Sequence, residues 1–427
     1  MAKAKEKADK NSEKYKMHMA LGLMFLTVFI DLIGFGIIIP VLPLYAKQFG
    51  ADGFTVGLLL TSYSLMQFFF APMWGRLSDK IGRRPVLLIS LCTSAIGYTI
   101  WGFSNSLPML FLSRIVAGFG NANLAVAQAF ISDVTPEDYR SQGMGMIGAA
   151  FGLGFVLGPA IAGISTSFGV HPNTLGFVAA VFSVIDLIFT AIYLPEPKSR
   201  SESSHNPFAN GASFYFSTVT DKRFFLSMFI IFISTFAFAN METTLVLLTA
   251  QYYNFNYREN SSLFVGLGIV MVFIQGFLIR KIGKKYPDQP LIAVGTALIA
   301  VGLVMVPITH NLVVLCIGLI LLATGSGINN PSSSSLLSKL APKEHTGGIM
   351  GVGQSMSTLG RILGPVVGGY LFDKGASVPY WLGAACMLVA CGLSFKLPVI
   401  QKIQPTKETD ASSSAPEPEL HATERGA

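Results

Sequence analysis

The stretch GRLSDKIGRRP, Gly75–Pro85, carries five charged residues and two glycines and ends on a proline. Strongly apolar runs flank it on both sides. Each is close to the roughly 20 residues that a helix needs to cross a bilayer core of about 30 Å. A short basic turn between two such runs is a loop at a membrane face. The bulk composition agrees. Of 427 residues, 51% are hydrophobic and only 12% charged, against about 25% charged in a soluble domain. Mean hydropathy is +0.56. The net charge of +7 does not point to nucleic acid, because most basic residues lie in short loops, where they set orientation.

Working outward from that turn, twelve spans are read at 19–44, 55–75, 86–103, 107–131, 142–166 and 174–194, then 224–251, 262–280, 290–308, 312–338, 347–372 and 378–397. The first, MALGLMFLTVFIDLIGFGIIIPVLPLY, is too long for a signal-peptide core and lacks a clear cleavage site, so it is expected to be retained. Cys92, Cys316, Cys386 and Cys391 all fall inside apolar segments. Their spacings match no metal or redox pattern and they read as packing residues. The polar stretch LPEPKSRSESSHNPFANGASFYFSTVTDKR separates two six-span halves. The expected organisation is a Lys-rich cytoplasmic tail (1–18), an N-terminal six-helix bundle (19–194), a cytoplasmic linker (195–223), a C-terminal six-helix bundle (224–397) and a disordered cytoplasmic tail (398–427).

Orientation follows from Lys and Arg. The N-terminal tail, the loop after span 2 (Arg76, Lys80, Arg83, Arg84) and the loop after span 8 (Arg280, Lys281, Lys284, Lys285) are basic, whereas the opposite side has little beyond Lys47, Arg258 and Lys374. By the positive-inside rule the basic side is cytoplasmic, and an even number of spans puts both termini there.

The halves repeat. GMIGAAFGLGFVLGPAIAG in span 5 answers GVGQSMSTLGRILGPVVGG in span 11: Gly145, Gly154, Gly158 and Pro159 correspond to Gly351, Gly360, Gly364 and Pro365 at a constant offset of 206. GRLSDKIGRR answers GFLIRKIGKK at an offset of 201. Such repeats indicate two pseudo-symmetric six-helix bundles about an axis along the membrane normal, with a substrate site between them. The fold class is therefore an all-α polytopic membrane protein of twelve transmembrane helices. Small residues four apart, Gly154, Gly158 and Ala162 or Gly360, Gly364 and Gly368, let membrane helices approach closely. Pro159 and Pro365 favour bends.

These motifs resemble a known family. GRLSDKIGRRP is similar to the cytoplasmic turn between helices 2 and 3 of the major facilitator superfamily, and FLSRIVAGFGNA to its helix 4 signature. GLGFVLGPAIAG resembles the helix 5 signature of its drug:proton antiporters, with Ala162 in place of a usual Gly. DLIGFGIIIPVLP resembles the first helix of the twelve-helix antiporters that include tetracycline exporters. The resemblance covers about 19–397 and implies the major facilitator fold, with helices 1, 4, 7 and 10 around the cavity and helices 3, 6, 9 and 12 facing lipid. It also implies a cytoplasmic latch of Gly75, Asp79, Gly82, Arg83 and Asp133, in which Asp79 meets the N-terminus of helix 11 and Arg83 pairs with Asp133. The glycine signatures would help seal one end of the pathway.

Ionisable residues inside spans are costly and point to function. They are Asp31, Arg114, Asp186, Glu242 and Arg361. Given the family's cavity helices, Asp31, Arg114 and Glu242 are proton-coupling candidates, with Asp186 a peripheral structural group; Arg361 joins them because it lies about 100° round span 11 from the glycine face and can point to the cavity. Asp31 and Arg114 are expected at similar depth, close enough for the long arginine side chain to bridge. Burial raises a carboxyl pKa and a nearby cation lowers it, so a site whose arginine moves away gains or loses a proton with conformation. Asn121, Asn123 and Gln128, with Asn240, Asn329, Asn330 and Gln354, are candidates to hydrogen-bond a ligand.

No phosphate loop, metal cluster or nucleophile–base pair appears, so neither an enzyme nor a cofactor is expected. The leading expectation is a monomeric, proton-driven exporter of amphipathic, drug-like small molecules in a plasma membrane, a bacterial one being favoured. An uptake symporter, a flippase for lipid-linked compounds and a non-transporting receptor stay open.

Overall fold

The computed structural model describes residues 2–121, 123–135, 137–196, 221–341 and 346–399, with the side chains of 2–16, 137–145, 280, 284 and 346–348 outside the description. The side chains of the basic tail, most of the linker and nearly all of the C-terminal tail expected above therefore lie outside the described residues. The described residues form helices and turns, with no strand among them.

The first half contains α1 (Ala2–Ile38), α2 (Gly53–Ile81), α3 (Arg83–Gly102), α4 (Leu107–Gly120, continued by Asn123–Val134), α5 (Glu137–Ser167) and α6 (Thr174–Tyr193). The second contains α7 (Lys222–Tyr253), α8 (Tyr257–Phe273, continued by a five-residue π segment, Ile274–Leu278, and Ile279–Lys285), α9 (Asp288–Ile308), α10 (Leu312–Leu340), α11 (Thr346–Lys374) and α12 (Val378–Ser394). Ten of these are long and apolar enough to cross a membrane. The glycine-rich α11 and the shorter apolar α12 complete the twelve, in the order the hydropathy predicts.

Local chemistry explains where the spans break. Span 1 stops at Ile38 and resumes as a short helix, Leu42–Gln48, beyond Pro40, since proline cannot donate the helical hydrogen bond. The α4 break lies at Asn121, whose amide turns aside to accept from Gln67 Nε2 at 2.9 Å and to donate to the Tyr63 hydroxyl. The α2 N-cap is Asp52, which accepts from the Thr55 backbone N–H at 2.8 Å. Hydrogen bonds from the Thr55 side chain and backbone hold its carboxyl below the usual range.

The charged turn at Gly75–Pro85 is shorter than its composition implies. Helix α2 runs through the charges to Ile81, and Gly82 alone joins it to α3, with φ +104°. Only glycine adopts that φ without strain.

Packing repeats between the halves. Within the first half α1 packs on α5 and α6, α3 on α4 and α6, and α2 on α4; the second half repeats each pairing as α7 on α11 and α12, α9 on α10 and α12, and α8 on α10. Outer helices carry exposed apolar stripes, Val181, Ile185, Ile188 and Ile192 on α6, and Val294, Val301 and Ile308 on α9. Stripes of that length need a lipid environment, so the chain is a multi-pass membrane protein.

Candidate functional site

The halves meet through α2 on α11 and, across the pseudo-axis, α5 on α8. At the face opposite the basic loops, here the far face, these contacts are close. A Cβ on Gly53 would lie 2.7 Å from the Asp373 carboxylate, and one on Gly57 would lie 2.8 Å from the Pro365 carbonyl carbon. Thr61 Oγ1 donates to the Ile362 carbonyl at 2.7 Å. Asp373 accepts from the backbone N–H of Gly53 at 2.8 Å and of Phe54 at 2.9 Å. Those are unpaired donors of the first turn of α2, where a helix carries about half a positive charge. In the second pair, a Cβ on Gly163 would meet Ser261 at 2.9 Å and one on Gly268 would meet the Phe155 carbonyl at 2.9 Å.

Toward the basic face the halves enclose a cavity of about 280 Å³. Phe151 and Phe155 of α5, Phe238 of α7, Asn330 of α10, and Gln354 and Arg361 of α11 contribute to its wall. Arg361 also borders a deeper chamber of about 50 Å³, together with Tyr63, Arg114 and Glu242. Three of the four charged candidates, Arg114, Glu242 and Arg361, thus converge on one chamber from both halves. Glu242 lies within reach of the Arg361 charge, yet among the described residues no ion pair joins them.

The expected bridge between Arg114 and Asp31 is not made. Arg114 is 2% exposed and its guanidinium stacks on Trp101, Tyr98 and Tyr63 at 5.1, 5.7 and 5.9 Å. Aromatic faces satisfy a cation where water is excluded. This cage is invisible in the sequence because its members come from α2, α3 and α4. Asp31 instead has Asn123 of α4 beside its carboxyl, without a well-aligned hydrogen bond.

Although α6 is an outer helix, it buries Ser183, Asp186 and Thr190 on the face turned inward, and Asp186 is fully buried. It accepts from Thr190 Oγ1 at 3.4 Å and lies within reach of the Asp31 charge.

At the basic face Arg83 pairs with Asp133 at 2.8 Å, as expected, and also with Asp79 in its own hairpin. Asp79 is 60% exposed and engaged within its own half. The second half has the same clamp with reversed polarity: Lys339 pairs with Asp288. Asp133 and Lys339 share the 206 offset of the glycine signatures. Glu196, which no sequence motif marks, accepts from the backbone N–H of Arg83 at 2.6 Å and of Arg84 at 2.9 Å, capping α3. A Cβ on Gly82 would meet that carboxylate, while one on Gly75 would meet nothing within 4 Å.

The glycine signatures pack inside each half. A Cβ on Gly154 would lie 2.6 Å from Leu32, and one on Gly158 2.6 Å from the Gly36 backbone. In the second half, Cβ atoms on Gly360 and Gly364 would lie 2.8 and 2.7 Å from the Phe232 and Phe236 carbonyls. Ala162, the departure from the signature, is fully buried. Pro159 and Pro365 lie inside their helices. Gly351 faces open space, and the surroundings of Gly145 lie outside the described residues.

Of the polar ligand candidates, Asn329, Asn330 and Gln354 line the cavity. Asn240 donates to the Pro379 carbonyl at 2.9 Å and ties α7 to α12. Gln128 is half-buried on α4 and borders neither space.

Comparison with known proteins matches this architecture. The profile of the Major Facilitator Superfamily matches residues 24–363 and 285–423. The mouse major facilitator superfamily domain-containing protein 10 is 30% identical, over 88% of this chain and 91% of its own. The class H tetracycline resistance protein of Pasteurella multocida is 31% identical, over 88% and 94%. Multidrug resistance protein 1 of Bacillus subtilis is 26% identical, over 89% and 96%. Among solved structures, the human organic anion transporter MFSD10 (TETRAN) superposes with a TM-score of 0.69 at 24% identity, over 88% of this chain and 99% of that one. The nucleoside transporter NupG gives 0.72 at 16% identity, over 88% and 99%. Two repeated six-helix halves, joined across a central charged chamber and matched along most of their length, place this chain in the major facilitator superfamily of membrane transporters.

Proposed function

We propose that the chain is a proton-coupled exporter of amphipathic small molecules that works by alternating access, and that the structure is its inward-open state. The observation that carries this reading is a cavity toward the basic, cytoplasmic side, closed at the far face, that leads through Arg361 to a chamber bordered by the half-buried Glu242. Buried carboxyls without ion-pair partners are groups that can change protonation as the halves rock. The test uses purified protein in sealed vesicles. Tetracycline added on one side should move protons to that side, as antiport requires. Proton movement along with the probe would make the protein a symporter, and none would remove the coupling.

The cavity also favours a substrate charge. Its described lining includes Arg361 but no Asp or Glu. An apolar molecule bearing an anionic group therefore fits better than a cation. Arg361→Gln is expected to raise the half-saturation concentration for fluorescein, an anion, by about 10-fold or more, the range for losing a charged hydrogen bond. Uptake of cationic rhodamine should change little. Equal effects on the two dyes would count against this assignment.

Alternating access has a symmetric latch in this reading. Asp373 at the end of α11 holds the N-terminus of α2 at the far face. Asp79 near the end of α2 would hold the N-terminus of α11 once the basic face closes, and here it rests on Arg83. A cap contributes about 1 kcal/mol, or about a 5-fold shift between states. Asp373→Asn should move spin-label distances toward the outward-open population. Asp79→Asn should move them the opposite way. Shifts of the same sign would defeat the latch.

A further inference from the structure

The polar cluster between α1 and α6 is not part of the central chamber, yet it holds two buried acids. Thr27 Oγ1 and Thr190 Oγ1 are 3.1 Å apart, which fixes the register of the two helices. The sequence carries Asp31 four residues after Thr27 and Asp186 four residues before Thr190. Neighbours four apart share a helix face. Because consecutive spans alternate in direction, α1 and α6 run oppositely, and both steps lead the same way along the membrane normal. The two carboxyls therefore stand at the same level, one turn beyond the threonine bridge.

The surroundings are dry, and the nearby cation pairs with neither acid. Asp31 is 7% exposed and Asp186 fully buried. Asp31 Oδ1 and Asp186 Oδ2 have no hydrogen-bond partner among the described residues, and neither carboxyl belongs to a described ion pair. The titratable groups around them are Tyr63 from α2, Tyr98 from α3 and Arg114 from α4. The described side chains of α5 include none. Arg114 is held by its aromatic cage rather than by either acid.

We propose that Asp31 and Asp186 share a single proton and together form one acid–base site. Two bare carboxylates at one level in this dry interior would each lack an ion-pair partner and would repel. One proton converts an orphaned acceptor into an O–H donor, and the pair then carries a single negative charge. Uptake forms one O–H bond at a carboxylate oxygen and release breaks it, with the proton exchanged with solvent and no other bond altered. Thr27 and Thr190 are positioning residues that hold the two acids in register. This inference rests on the proton-coupled reading above and adds Asp186 as a second member of the site.

Infrared difference spectra of the full-length protein in lipid, recorded across a pH titration without substrate, read the acid C=O stretch directly. Interacting acids titrate as a pair, with each midpoint dependent on the other. Asp186→Asn is expected to move the midpoint of the remaining acid signal by about 10-fold or more in proton concentration. Asp31→Asn should do the same for Asp186, and the double variant should lose both contributions. If Asp186→Asn fails to fold, Asp186→Glu keeps the carboxyl and should keep two mutually dependent midpoints. An Asp31 titration unchanged by Asp186→Asn, or independent midpoints in Asp186→Glu, would overturn the pair. The titration needs no transport, so it fails separately from the vesicle experiment: a paired titration with no proton movement on tetracycline addition would overturn the coupling alone.

Discussion

Gly57→Leu should abolish transport while leaving most of the folded yield intact. Gly57 is a point where α2 and α11 approach closely across the far face. Even a Cβ there would lie 2.8 Å from the Pro365 carbonyl carbon and 3.1 Å from the Val366 Cα. These are backbone atoms with no rotamer to yield. One turn on, Thr61 bonds the Ile362 carbonyl at 2.7 Å, so the two backbones cannot separate locally without breaking a contact between halves. Overpacking of this kind costs about 1–3 kcal/mol, which is about a 5- to 150-fold shift between two states. The halves should stay apart at the far face, and the protein should populate its outward-open form. Gly57→Ala should fall between leucine and wild type. Vesicle transport and far-face spin-label distances in the same preparations measure both effects. Gly158→Leu serves as the contrast. Its clash is with the Gly36 backbone inside one half, so folded yield should fall together with transport. Normal far-face distances in Gly57→Leu would show that this contact does not govern closure.

The second large effect is expected at Asp31. Asp31→Asn removes the carboxyl proposed to bind the coupled proton while keeping the shape of the site. Exchange of substrate between the two sides should persist, because Arg361 and the cavity wall are untouched. Accumulation against a gradient should vanish. A pH difference of one unit is worth about 1.4 kcal/mol, or about a 10-fold accumulation for each proton exchanged. The variant should therefore equilibrate where the wild type concentrates. Reconstituted protein assayed with and without an imposed pH difference separates the two behaviours. Gradient-driven accumulation that survives in Asp31→Asn would transfer the coupling role to Glu242, which borders the central chamber.

Much of the architecture is legible in the amino-acid sequence. The stretch around Gly75–Pro85 locates a loop, and the loop locates its neighbours. The positions of the breaks are less clear. Asn121 interrupts α4, and five residues of α8 form a π segment, yet neither lowers the hydropathy enough to divide a span. The candidate site divides in the same way. Arg114, Glu242 and Arg361 stand out as charges inside spans, and they do border one chamber. Their partners are not predictable from the chain. Arg114 meets three rings instead of Asp31, and Asp31 has Asn123 beside it. Asp373 looks like an ordinary residue at the end of a span, and Glu196 like the start of a linker. Both prove to accept backbone N–H groups at helix N-termini far away in sequence.

The sequence by itself determined that this is a twelve-helix membrane protein built from two repeated halves, with its basic loops on one side. Hydropathy, loop charge and internal repetition are local properties, and the bilayer imposes its thickness on each segment separately. The tertiary structure alone decided which groups satisfy each buried charge and which glycines join the halves rather than pack within one. The reason is physical. A residue's helical period gives its face but not the rotation and neighbours of the whole helix, and in a dry interior a charge is settled by whichever polar or aromatic groups those rotations bring within a few ångströms. Gly57 and Gly158 belong to the same residue type in similar apolar helices, yet one lies between the halves and the other inside one.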